Sequence, residues 1–107
     1  YRVQNYQFFD APVGLFFTID RDMEQGSWVD YGMFLQSFML AAREMGLETC
    51  AQAAFCPYHD TVMSILEAPA EQMLVCGMSL GYADPEALIN TYRTERLDAA
   101  EFMTVLD

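Results

Sequence analysis

The sequence predicts an α+β fold with helices and strands in mixed layers. Three observations carry that prediction. Ala11 to Asp20 and Gln72 to Tyr82 are apolar runs of strand length, the first rich in β-branched and aromatic types. Between them, Trp28 to Met45 is an almost wholly apolar segment of helix length.

The elements follow in order. The run from Ala11 to Asp20 lacks polar alternation, which predicts a strand buried on both faces. Arg21 to Gly26 is charged and turn-like. Ser27 is the expected N-cap of the next helix, with Asp30 reaching back from three residues later. That helix is expected to run to Met45, roughly 27 Å at about 1.5 Å per residue, and to stop at Gly46. Trp28, Val29, Met33, Phe34, Phe38 and Leu40 leave it little polar surface. A helix apolar on nearly all sides requires cover on nearly all sides. A second subunit, or chain outside these residues, is expected to cover one of them.

Gly46 to Phe55 follows as a turn built of small or slim residues: Thr49, Cys50, Ala51, Ala53 and Ala54. Such a turn lets backbone N–H groups approach a flat ligand, because no large side chain stands in the way. Small residues packing a plain helix-to-strand connection would read the same. Pro57 opens a shorter helix carrying Tyr58, Val62, Ile65 and Leu66, which Ala68-Pro69 ends. The strand from Gln72 to Tyr82 is expected at the centre of the sheet, with Gly77 and Gly81 permitting close backbone approach. Ala83-Asp84-Pro85 reads as a turn, and Glu86 to Thr91 as a helical turn. The tail from Arg93 is amphipathic, with Leu97, Phe102, Val105 and Leu106 available for docking.

Composition narrows the function classes. The 107 residues suit one small domain or part of a larger one, and the expectation is a C-terminal part of one domain. A 53% apolar content with eight Met and eight Phe gives a large, adaptable core. The net charge of −11 argues against nucleic acid and anionic membranes as partners. All five basic residues are Arg, so Arg93 and Arg96 stand out as a fork for a phosphate, or as a solvated pair balancing Glu95 and Glu101. Cys50, Cys56 and Cys76 match no zinc spacing, and reduced thiols in a cytoplasmic protein are expected, with Cys50 a small packed residue. His59, the only His, sits where a helix opens and is expected to be exposed or capping. Trp28, Tyr31 and Phe34 are expected to serve in packing.

Several motifs then coincide. Asp10-Ala11-Pro12-Val13-Gly14, Gly26 to Met33, Gly46 to Ala54, Gly77 to Pro85, and Arg93-Thr94-Glu95-Arg96 with Glu101-Phe102 occur in that order. Together they resemble the C-terminal half of the FMN-dependent nitroreductase family, in its nitrobenzoate-reductase-like branch. The resemblance implies an intertwined homodimer with FMN at the interface and the long helix buried there. It implies ping-pong chemistry, in which NAD(P)H reduces the flavin and the flavin reduces a nitroaromatic or quinone. It places backbone N–H contacts to the flavin N5 edge at Ala53 and Ala54, with Gln52 adjacent. It places the FMN phosphate at Arg96 and, one residue out of register, Arg93. The family's upstream Arg/Ser cluster, which contacts phosphate and flavin, has no counterpart in these residues. Two rivals share the same residues: a flavin-binding protein with another task, such as storage or dehalogenation, and a non-catalytic dimerisation domain.

Overall fold

The computed structural model describes residues 2–107, with Arg2 described by its backbone only. Three antiparallel strands form the centre: β1 (Val13–Asp20), β2 (Glu48–Gln52) and β3 (Gln72–Gly81), in the order β1-β3-β2. The helices are α1 (Arg2–Tyr6), α2 (Gln25–Glu44), α3 (His59–Ile65) and α4 (Ala99–Phe102), with 3₁₀ turns at Phe8–Asp10, Ala53–Tyr58 and Leu88–Thr91. The arrangement is α+β, as expected.

Strand alternation sends Phe16 and Phe17 to opposite faces of the sheet. Phe17 meets α2, edge-on to Phe34 and Phe38 at 6.2 and 5.7 Å. On the same side, the Tyr31 hydroxyl donates to the Thr18 carbonyl at 2.8 Å. Phe16 meets the other layer, where Phe55, Val62 and Leu74 form the buried cluster and Phe8 and Met63 pack against it. The Ala53–Tyr58 turn and α3 therefore lie across the sheet from α2.

Four sequence expectations change. The β1 strand is an edge strand, and only its Ile19 is buried, because the third strand pairs with β3 on the far side. That third strand, β2, falls where only a turn was expected. Its Cys, Ala and Gln residues carry little strand signal, and pairing with Ser79, Met78 and Gly77 decides it. The long helix starts at Gln25, so Ser27 is inside it and its hydroxyl donates back to Met23 Sδ at 3.4 Å. Cys50 is exposed on β2 rather than packed.

Other expectations match. The α2 helix ends at a Schellman cap: the Leu47 N–H donates to the Ala42 carbonyl at 2.9 Å, and that of Gly46 to Arg43 at 3.0 Å. Gly46 has φ +78°, which only Gly adopts freely. The β3 strand is central. Between Phe17–Cys76 and Thr18–Leu74 the register shifts, leaving Val75 as a bulge.

The outer face of α2 carries Val29, Met33 and Leu40, each more than half exposed. Beyond Gly81 the chain is an arm, exposed throughout except at half-buried Ala87. Leu97, Phe102, Val105 and Leu106 are all exposed along it. The radius of gyration is 16.6 Å, against roughly 13 Å for a compact chain of this length. Among the described residues, no helix is long and apolar enough to cross a membrane.

Candidate functional site

The Schellman cap turns the chain from α2 directly into β2, and β2 delivers Gln52 to the start of the Ala53–Tyr58 turn. The first N–H groups of a 3₁₀ turn find no acceptor inside it. Among the described residues, no loop, turn or cap hydrogen bond is donated by Ala53 or Ala54. Ala53 is exposed and Ala54 half-buried, and each presents only a methyl group. Among the described residues the bend thus offers two donors without a loop, turn or cap acceptor, flanked only by methyl groups, which suits the edge of a planar ring.

The bend is held from both sides. Gln52 is 2% exposed, and its Nε2 donates to the Asn5 carbonyl at 2.8 Å and to Asn5 Oδ1 at 3.3 Å. Its side chain is thus turned into the fold. The Tyr6 hydroxyl donates to the Ala54 carbonyl at 3.4 Å. Phe55 stacks on Phe8 with ring centroids 5.0 Å apart and lies over Gly77, where a Cβ would come within 2.6 Å of the ring. The Cys56 thiol donates to the carbonyl of the bulged Val75 at 3.3 Å. Phe8 belongs to a left-handed turn, Phe8–Asp10, with φ of 52°, 54° and 61°. That conformation is costly for non-glycine residues, and the aromatic cluster holds it.

Arg93 and Arg96 lie on the exposed arm. Arg96 Nη1 donates to Thr94 Oγ1 at 2.6 Å and to the Glu95 carbonyl at 3.0 Å, both neighbours in sequence. The described residues do not bring either guanidinium into hydrogen-bond contact with the bend. Two open hollows, of about 590 and 480 Å³, lie at the N-terminal end of α2 and are lined by neither the bend nor these arginines.

Partial desolvation raises the Cys50 thiol although the residue as a whole is exposed, and a hydrogen bond with Ser79 offsets part of the rise. Burial, then nearby Cys56, raises Cys76. Burial, then Cys76, raises the Tyr31 hydroxyl. His59 is exposed, 3.1 Å from Asp60. Among the described residues, no cluster of three or more His, Cys, Asp or Glu could hold a metal ion. The residues that sequence reasoning missed are Asn5, Tyr6 and Phe8. They precede the bend by more than forty positions, and only tertiary packing brings them to it.

Comparison with known proteins gives a consistent result. Residues 1–82 match the nitroreductase family. A 4-nitrobenzoate reductase from Pseudomonas putida is 49% identical over 98 residues, 92% of this chain and 43% of the relative. A chloronitrobenzene nitroreductase from Comamonas testosteroni is 45% identical over 104 residues, 97% of this chain and 46% of the relative. Among solved structures, the FMN and NADPH-dependent nitroreductase NfnB from Sphigopyxis sp. strain HMH superposes with a TM-score of 0.93 at 38% identity, covering 99% of this chain and 48% of that one. The chain therefore spans less than half the length of these relatives. With its sheet and helices in the nitroreductase-like arrangement and most of its length matched, this chain belongs to the nitroreductase family.

Proposed function

We propose that the protein containing these residues is an FMN-dependent NAD(P)H oxidoreductase that reduces nitroaromatic or quinone-type acceptors by ping-pong hydride transfer. The observation that carries this reading is the bend, where among the described residues Ala53 and Ala54 donate no loop, turn or cap hydrogen bond and Ala53 is exposed. The relatives described as nitroreductases support the substrate class. FMN, when bound, supplies acceptance of a hydride from NAD(P)H and its delivery to the acceptor. The part of this chain is to hold and orient. The two amides would donate toward the ring edge, and the methyl groups would leave it room. Arg93 and Arg96 would hold the phosphate by charge-assisted hydrogen bonds.

The same reading takes these residues as the C-terminal part of one nitroreductase-like domain. It makes the assembly a homodimer, supported by the exposed apolar face of α2 and by the apolar arm. Three cysteines without a disulfide suit a reducing compartment, and the cytoplasm is the proposed location.

The complete open reading frame encoding these residues provides the test. Its product is expected to take up FMN, turn yellow, and oxidise NAD(P)H when 4-nitrobenzoate is added. A colourless protein without turnover rejects the proposal. Arg96→Ala is expected to weaken FMN binding about tenfold or more, the value of a hydrogen bond to a charged group. Unchanged affinity would remove Arg96 from the phosphate site.

A further inference from the structure

We propose that Gln52 is a positioning residue, which holds the Ala53 and Ala54 amides in place at a cost to folding stability. The proposal rests on the flavin reading for its functional consequence, but its structural part stands alone.

Gln52 is the last residue of β2 and pairs with Gly77, on the sheet face that carries Phe16 and Phe55. It is only 2% exposed. Its Nε2 is bonded twice to Asn5, but its Oε1 is buried with no hydrogen-bond partner among the described residues. An orphaned acceptor of this kind destabilises the native state, and an apolar side chain of similar size avoids the penalty. Gln52 is thus a poor choice for stability alone.

What the amide achieves is a fastening. It ties the end of β2 to α1 through the Asn5 carbonyl. The next residue of α1, Tyr6, donates to the Ala54 carbonyl and packs edge-on against Phe55 and Tyr58, centroids 5.5 Å away in each case. Ala53 and Ala54 therefore lie between two fasteners that both lead to α1. With only methyl groups, they cannot anchor themselves. Remove the first fastener and the turn is held from its far side, by Tyr6 on the Ala54 carbonyl, Phe55 on Gly77 and Cys56 on Val75. The backbone at Ala53 then gains freedom, although the sheet and core stay intact.

The experiment compares the complete gene product with its Gln52→Leu variant, and with Gln52→Met as an unbranched second variant. Urea unfolding reads stability. Hydrogen exchange on the peptide covering residues 51–58, in flavin-free protein, reads the freedom of the bend. FMN titration reads the consequence. Stability is expected to be unchanged or higher, exchange of the hydrogen-bonded strand and 3₁₀ amides in that peptide, on either side of Ala53 and Ala54, about tenfold faster, and the Kd for FMN about tenfold weaker. Unchanged exchange in both variants overturns the proposal, and so does a uniform rise in exchange across the whole chain with an equal loss of stability, which marks a structural role only. If the unsubstituted protein takes up no FMN, the flavin reading falls by itself, and the exchange comparison alone decides whether Gln52 positions the bend.

Discussion

Replacing Gly77 by Ala tests the packing that carries the bend. A Cβ on Gly77 would lie 2.6 Å from Phe55 Cδ2 and 2.9 Å from Cε2. Carbon atoms prefer roughly 3.5–4.0 Å, so the ring must retreat by about 1 Å. It has little room to do so. Phe8 stacks on it at 5.0 Å, Phe16 meets it edge-on at 5.0 Å, and Tyr6 meets it edge-on at 5.5 Å. Overpacking in a filled core costs about 1–3 kcal/mol, and weakening one aromatic contact adds about 0.5–1.5 kcal/mol. Gly77→Ala is therefore expected to destabilise by about 1.5–4.5 kcal/mol. Gly26→Ala is the control, since nothing lies within 4 Å of its added Cβ, and as a helical position it is expected to be unchanged or up to about 1 kcal/mol more stable. The assay is urea unfolding of the complete gene product at fixed protein concentration. Phe55→Leu supplies the second arm. The smaller side chain relieves the clash, so the double variant is expected to lose at least about 1 kcal/mol less than the two single losses added together. A Gly77→Ala protein as stable as the Gly26→Ala control, or strict additivity with Phe55→Leu, would refute the argument that this glycine exists to admit the ring.

Two further predictions concern association and pH. Leu40 is 61% exposed on the outer face of α2, so Leu40→Glu leaves the contacts with Phe17 intact. Sedimentation is expected to show the proposed homodimer replaced by monomer, and an unchanged assembly would exclude that face from the interface. Cys76 supplies the pH effect. Burial holds its folded thiol above its ordinary value, with Cys56 adding to the shift, so the unfolded chain gives up the proton first. The stabilisation is full below the unfolded value and declines as pH rises through it. Urea unfolding from about pH 7 to about pH 10 is expected to show a shallower alkaline decline in Cys76→Ala than in the parent.

Local sequence was enough for the elements whose reasons are local. Gly46 ends α2 because only a glycine takes φ +78° without strain, and the hydrogen bonds of its cap span five residues at most. The two apolar runs became β1 and β3, and the ordered motifs pointed to the family. The bend was legible because small residues after a helix are visible in any sequence. The tertiary structure decided what is long-range. It made β2 a strand, since residues of weak strand propensity pair when a central strand presents its edge. It turned Gln52 inward and joined it to Asn5, a pairing 47 positions apart that no periodicity announces. It left Arg96 bonded to its own neighbours on an exposed arm, because a guanidinium finds its anion only where the fold and its partners bring the two together. Side-chain chemistry is written residue by residue, but which groups meet depends on how the whole chain closes.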